Sequence, residues 1–263
     1  MLLLSKSVDL FFGILLSNKT YRKSLFKAAV NHELRNSRYG RIALSRLNIY
    51  MSKHHFTHSE FMEVAGSDNY QRAFWQSDLG YVWFNNSIHN ENLYFKYAIK
   101  NIEDSHLETV LDVGCGWGEF CARTSALPHV SKVLGIDISE KIIEEAKKRF
   151  TNNNLFFQVH QVDEIKEHFD IVTVFGAIDY IYPDKIESFL EKVLSISTKQ
   201  IIMVSSLRGI DFEQARLIEK PIEVKRYDIG YVQPLYQFFH KKGLKNIHFE
   251  KMGQDSQLIH IVK

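Results

Sequence analysis

Apolar residues recur at helical spacing through the first hundred positions, as in Leu25, Phe26, Ala29 and Val30, and again in Ile42, Leu44, Leu47 and Ile49. With four glycines and no proline, residues 1–107 read as a helical cap. At Glu108 the period changes. Short β-branched runs at 109–113, 132–137, 155–160, 170–175 and 200–205 alternate with amphipathic stretches near 118–126, 140–150 and 184–196. That alternation predicts an α/β fold built on a parallel sheet. In the third helix Asp184 is expected to act as the cap, with Glu187 three residues on. A further helix over 235–242 stops at Gly243. The runs 246–252 and 257–262 then flank Gly253-Gln254-Asp255-Ser256 as a terminal antiparallel hairpin. Residues 206–233 are too many for a simple connection and predict an insertion.

The first strand runs into Asp112-Val113-Gly114-Cys115-Gly116-Trp117-Gly118-Glu119, with glycine at alternate positions and a helix directly after. Such a turn bends sharply and lets a ligand approach the backbone without Cβ atoms in the way. It also offers amide donors and a helix N-terminus. By itself it places a nucleotide-like ligand at the carboxyl end of the strand. A dinucleotide fingerprint, G-x-G-x-x-G, needs glycine at 119, where Glu119 stands; here the third glycine is Gly118, and Asp112 precedes the set. The spacing disfavours a pyrophosphate, which leaves an NAD(P)-dependent oxidoreductase as the alternative.

On these residues, together with Gly135-Ile136-Asp137-Ile138-Ser139 at the end of the second strand, residues 108–263 resemble the class I S-adenosylmethionine-dependent methyltransferases. The resemblance implies a seven-stranded Rossmann-like sheet closed by an antiparallel hairpin, as the chain's last two runs suggest. It implies S-adenosyl-L-methionine as donor and S-adenosyl-L-homocysteine as product, with no metal. The donor contacts carried over are Asp112, Gly114, Cys115, Gly116 and Gly118 in the loop, then Asp137 and Ile138 after the second strand. A carboxylate at Asp137 has two acceptor oxygens for two ribose hydroxyls, and Ser139 is expected to cap the next helix. After the third strand the family's usual Gly-Asp pair is absent, and Gln161, Val162 and Asp163 occupy the adenine position. Phe175-Gly176-Ala177-Ile178-Asp179-Tyr180 resembles the segment along the donor's methionine. Phe175 is assigned to the donor, while Asp179 and Tyr180 are candidates for orientation or base catalysis, or equally members of a turn that opens a helix before Pro183. Cys115 reads as a small packed residue and not a nucleophile.

Nine aromatics fall within residues 70–97, where the family often builds a lid and acceptor pocket. Tyr81 and Trp83, beside Gly80, are the preferred pocket members, against the alternative of a cap packed on the sheet. His89 is the nearest histidine and a base for a hydroxyl at neutral pH, against a solvated loop histidine. The 206–233 insertion, on the substrate side, carries Arg208, Arg216, Lys225, Arg226, Tyr227 and Tyr231. Of these, Arg208 and Tyr231 are assigned to the acceptor wall, and cations there favour an anionic acceptor; exposed charge on a solvated helix is the plainer reading.

Composition narrows the partners. A chain of 263 residues with 45% hydrophobic and 24% charged residues is globular, which excludes disordered, collagen-like and multi-span classes. Its net +2 conceals an asymmetry: ten Lys/Arg against three Asp/Glu leave +7 on residues 1–60, while 23 against 28 leave −5 on the rest. The basic head is a solvated face, an attractor for an anionic acceptor or membrane surface, or a nucleic-acid contact. Nucleic acid is not expected, because no RNA-binding module precedes the sheet and no Pro-Pro-aromatic signature follows the fourth strand. Peripheral membrane contact through residues 10–16 and the nearby Lys19, Arg22, Lys23 and Lys27 is the lesser alternative. That apolar run is too short to span a bilayer and lacks the marks of a signal peptide. Two cysteines, Cys115 and Cys121, form no metal framework and suit a reducing cytoplasm. The expected reaction is methyl transfer to oxygen, ahead of nitrogen, on a small molecule such as a sugar or surface-glycan precursor. A homodimer is compatible with all of this, and a donor-binding, non-catalytic partner subunit is the second alternative.

Overall fold

In the computed structural model the described residues are 92–225, 229–253 and 255–263, together with Asn18, Thr20, Tyr21, Ser24 and Trp75. Tyr81, Trp83, His89, Arg226, Tyr227 and most of the helical and basic head lie outside them. His89–Val224 and Gly230–Lys263 make one compact unit. It opens with α1 (Asn92–Asp104) and continues through β1 (Thr109–Val113), α2 (Glu119–Ser125), β2 (Lys132–Asp137), α3 (Glu140–Arg149), β3 (Leu155–Val159) and β4 (Phe169–Phe175). Then follow α4 (Ile186–Ile196), β5 (Ser197–Ser206), α5 (Phe212–Arg216), β6 (Ile222–Lys225), β7 (Ile229–Val232), α6 (Leu235–Lys241), β8 (Ile247–Met252) and β9 (Ser256–Val262). Short 3-10 turns occupy Val162–Glu164 and Ala177–Tyr180.

Seven strands form one sheet in the order β3-β2-β1-β4-β5-β9-β8. β1 to β5 are mutually parallel, and β9 runs antiparallel to both β5 and β8. The predicted α/β class and closing hairpin are therefore present. The order reverses between β1 and β4, so the chain leaves these neighbours in opposite directions and opens a crevice at their carboxyl ends.

Period-two alternation along each strand feeds two cores. Leu111, Val113, Leu134, Ile136, Val172, Val174, Ile201 and Met203 face α4 and α6, where Phe189, Leu190, Val193 and Phe239 complete the cluster. On the opposite face Val110, Val133, Ile171, Ile202 and Leu258 meet Phe95, Ala98 and Ile102 of α1, Phe120 of α2 and Ile143 of α3. Phe239 is fully buried, a burial that contributes about 2–3 kcal/mol.

Several boundaries differ from the sequence expectation. β5 begins at Ser197, three residues early, and its pairing with β4 shifts register between Phe169 and Ile171. The cap of α4 is Lys185, without a side-chain bond, instead of Asp184. Tyr182 supplies the reason: its carbonyl accepts from the backbone N–H groups of Lys185 (2.9 Å) and Ile186 (3.0 Å), so the main chain satisfies donors that a carboxylate would have taken. Ser139 is the N-cap of α3, but its hydroxyl makes no cap bond and is buried without a hydrogen-bond partner among the described residues. The 206–233 stretch holds α5 and the two-stranded β6-β7 ribbon. Asp211 caps α5 by accepting from Glu213 N and Gln214 N.

Candidate active site

The glycine loop is folded by its own main chain. Gly114, Gly116 and Gly118 have φ of 74°, 53° and 80°, values that side chains rarely tolerate. The N–H groups of Gly114 and Cys115 both donate to Ile136 O, at 2.8 and 2.9 Å, which fastens the loop to the end of β2. There is no room for more. A Cβ on Gly118 would stand 2.3 Å from Cζ of Phe157, and one on Gly114 would stand 2.5 Å from Cβ of Ala177.

Asp137 ends β2 half-buried, facing this loop. Oδ1 accepts from Ser139 N at 2.9 Å and Oδ2 from Gly116 N at 3.3 Å. Loss of solvent pushes its pKa up to about 6, against backbone N–H bonds from Ser139, Gly116 and Ile138 that pull it down. The carboxylate is thus aimed by two amides while part of the residue stays open to a ligand. Ile138 beside it is also half-buried.

Asp112 stands differently. Only 2% exposed, it receives Thr173 Oγ1 on Oδ1 at 2.8 Å and Cys121 Sγ on Oδ2 at 3.4 Å. Thr173 is its register partner on β4, so the pair stiffens β1 against β4 beneath the loop. Both cysteines are buried and free; burial raises the Cys115 thiol to about 11 and Cys121 well above its ordinary value. Neither is a thiolate at neutral pH.

After β3, the N–H of Gln161 donates to Glu164 Oε2 at 2.6 Å, closing a short turn. Gln161 and Asp163 are exposed, whereas Val162 turns into the core. Phe175 closes β4 in an aromatic cluster, its ring 4.9 Å from Phe120, 5.3 Å from Tyr94 and 5.4 Å from Phe95. Tyr94 and Phe95 come from the aromatic-rich segment noted in the sequence, and here they pack α1 onto the carboxyl end of β4.

Beyond Phe175, Gly176 (φ 75°) turns the chain into the Ala177–Tyr180 helix. Asp179 is buried; Ser205 Oγ donates to Oδ1 at 2.7 Å and Ser206 N to Oδ2 at 2.9 Å. Its carboxylate ties this helix to the end of β5. Tyr180 lies beneath the Arg208 guanidinium, 5.5 Å from carbon to ring centroid. Arg208 has φ 50° although it is not glycine, and its guanidinium lies so close to Gly230 that a Cβ there would clash with it. Tyr231 is buried 6.2 Å from the Tyr182 ring, its hydroxyl pushed up to about 12 chiefly by burial.

Three contributors were missed by sequence reading. Gln233 Nε2 donates to Ile178 O (3.1 Å) and Ile181 O (2.8 Å), latching the helix from 52 residues away. Only its place inside the long insertion hinted at it. Thr173 had a signal, as a polar residue within an apolar strand. Arg149 lies 4.2 Å above the Trp117 ring in the loop, and the basic last turn of α3 was the available clue.

Comparison with known proteins now bears on this geometry. Residues 110–200 match the family described as "Methyltransferase domain". Over that stretch, about a third of its length, the chain is similar to methyltransferase domains. The match begins in β1 and includes the glycine loop, Asp137 and the Asp179 segment. Over 93 residues the chain is 37% identical to the mitochondrial ubiquinone biosynthesis O-methyltransferase of Candida albicans, covering 32% of this chain and 28% of that protein. Over 124 residues it is 27% identical to the small RNA 2'-O-methyltransferase of Arabidopsis thaliana, covering 42% and 13%. The chain thus spans well under two thirds of the length of either relative. Among solved structures, magnesium protoporphyrin IX methyltransferase from Synechocystis with bound SAH superposes with a TM-score of 0.55 at 13% identity, over 73% of this chain and 97% of that one. This likeness shows the fold, that of class I methyltransferases. Among the described residues no helix is long and apolar enough to cross a membrane, and no group of three His, Cys, Asp or Glu side chains is disposed to hold a metal.

Proposed function

We propose that this protein transfers a methyl group from S-adenosyl-L-methionine to an oxygen of a small, anionic acceptor. The observation that carries the donor assignment is Asp137: a carboxylate aimed by Gly116 N and Ser139 N, beside three left-handed glycines, of which Gly114 and Gly118 leave no room for a Cβ. Such a cradle fits a ribose diol, with both hydroxyls donating to one carboxylate. Gly114, Cys115, Gly116 and Gly118 offer main chain to the donor's amino-acid end; Ile138, with Gln161 or Asp163, borders the adenine, and Phe175 lines the floor. The donor supplies a sulfonium-activated methyl carbon. The chain's own contribution is proximity, alignment and exclusion of water.

On the acceptor side, Asp179 acts as a positioning residue. Its two oxygens are engaged by Ser205 and Ser206, and they fix the helix that presents Tyr180. Arg208, held over Tyr180 in a strained backbone conformation, supplies a cation facing the acceptor, and Tyr182 and Tyr231 form the adjoining aromatic wall. This arrangement favours a hydroxyl-bearing substrate with a carboxylate or phosphate, such as an acidic sugar precursor.

Calorimetric titration with S-adenosylhomocysteine, S-adenosylmethionine and NAD(P) tests the donor. Binding of the first two, abolished in Asp137→Ala, is expected; stabilisation by NAD(P) alone overturns it in favour of an oxidoreductase. Methyl transfer from labelled donor to hydroxylated acids, compared with their neutral esters, tests the acceptor, and loss of that preference in Arg208→Gln is expected. Donor binding with no transfer to any acceptor would mark a partner subunit instead.

A further inference from the structure

A second concave surface lies at the far edge of the sheet. A groove of about 630 Å³ is lined by Arg216 at the end of α5, Tyr236 and His240 on α6, Lys245 in the following turn, and His248 and Phe249 on β8. Strand β8 is four places from β1, about 19 Å at the usual strand spacing. Ile247 stands opposite Ile261, which faces Ile201 in the middle of β5, and β8 runs parallel to β5 from there. The segment that leads into β8 therefore lies towards the end of the strands opposite the glycine loop. A ligand here is set apart from the donor cradle proposed above.

The lining combines aromatic faces with nitrogen donors. Tyr236 is its centre: the Arg216 guanidinium carbon lies 4.6 Å from the ring centroid, and the His240 and Phe249 rings each lie 5.0 Å away. Arg216 Nη1 donates to Glu213 at 3.2 Å, while its Nε is buried with no hydrogen-bond acceptor among the described residues. Lys245 is exposed on the rim, and His248 pairs with Glu250 at 3.1 Å. Rings of this kind take a planar ligand by stacking, and guanidinium and ammonium groups take an anion. The volume falls in the range of small-molecule sites.

We propose that this groove binds a small aromatic phosphate of the nucleotide class, its ring against Tyr236 and Phe249 and its phosphate towards Arg216 and Lys245. The test is calorimetry on the full chain with adenosine monophosphate, adenosine and inorganic phosphate as separate probes. Each is titrated into protein saturated with S-adenosylhomocysteine and into the Asp137→Ala variant. Adenosine monophosphate is expected to bind one equivalent in both, with adenosine and phosphate each at least tenfold weaker. Lys245→Glu and Arg216→Gln should each weaken it at least tenfold and leave S-adenosylhomocysteine affinity unchanged. Lys245 is exposed, so its substitution spares the fold. The proposal is overturned by absence of saturable binding, by affinity unchanged in Lys245→Glu, by binding that vanishes when the donor site is filled, or by phosphate binding as tightly as the nucleotide. Because the Asp137→Ala arm does not depend on donor binding, failure of the donor assignment and failure of the groove are read separately.

Discussion

The loop between β1 and α2 and the region around the Ala177–Tyr180 helix both border the crevice, yet they are built in opposite ways. In the loop, main-chain groups do the holding: amides of Gly114 and Cys115 bind Ile136 O, and Gly116 N binds Asp137. Around the helix, side chains from distant segments do it: Ser205 binds Asp179, Gln233 binds two carbonyls, and Arg208 covers Tyr180. A main-chain cradle recognises what its donors have in common. A side-chain wall assembled from distant segments can change with the substrate, which is why the donor is proposed for the first region and the acceptor for the second.

The sharpest way to break this contrast is at Gly118. Alanine there meets the Phe157 ring as well as a left-handed backbone, and should cost about 2–5 kcal/mol of stability with at least a hundredfold loss of S-adenosylhomocysteine affinity. Gly176→Ala is the control: its φ is 75°, but a Cβ meets nothing within 4 Å, so chemical denaturation should show only about 1–2 kcal/mol. Equal losses would mean that close packing of the loop is unimportant.

Next in size is the buried carboxylate of the Ala177–Tyr180 helix, Asp179. Asp179→Asn keeps one acceptor oxygen but sets an amide donor against Ser205 Oγ or Ser206 N, and should destabilise by about 1–3 kcal/mol, with S-adenosylhomocysteine affinity unchanged. A variant of full stability would remove the positioning role.

Acidity separates the regions again. Asp137 has a raised pKa of about 6, so its proton linkage favours the free fold most below the ordinary carboxylate value and loses that contribution as pH rises through 6. Donor affinity runs the other way, because hydroxyls need the ionised acceptor. It should fall about tenfold per pH unit below 6, and Asp137→Asn should bind weakly with a flat profile. A wild-type profile flat from pH 5 to 8 would contradict the assignment.

How much of this was legible in the sequence follows from the same contrast. Gly114, Gly116, Gly118 and Asp137 lie within 24 residues, and their spacing alone separated one ligand class from another. The strands at 109–113 and 132–137 were placed to the residue because their apolar runs are bounded by glycine or charge. Gln233, Arg208 and Ser205 became neighbours of the Ala177–Tyr180 helix only through folding, and nothing local marks a glutamine that will reach back 52 residues. Asp112 shows the converse limit. Its place in the motif is plain, but that Thr173 and Cys121 engage both oxygens depends on strand register and helix packing.

The smallest expected effect lies on neither side of the crevice. His260 receives the Tyr97 hydroxyl on Nδ1 at 2.9 Å and donates from Nε2 to Gln200 at 2.9 Å, and Gln200 donates to Ser105 at 3.0 Å. Tyr97→Phe should cost about 1 kcal/mol. Burial lowers the His260 pKa, so its contribution is complete above the ordinary imidazole value and is lost as pH falls through the depressed one. Denaturant midpoints at pH 7 and pH 5 for both proteins read this, and the gap between them should narrow at pH 5.

The Arg149–Trp117 stack gives the glycine loop an optical voice. Only three tryptophans occur in the chain, Trp75, Trp83 and Trp117, and the last is the one placed among the glycines with a guanidinium 4.2 Å from its ring. With Trp75 and Trp83 replaced by phenylalanine, emission comes from the loop alone. Any ligand that shifts the indole against Arg149 then announces itself without a label, and the rate of that shift times the binding event.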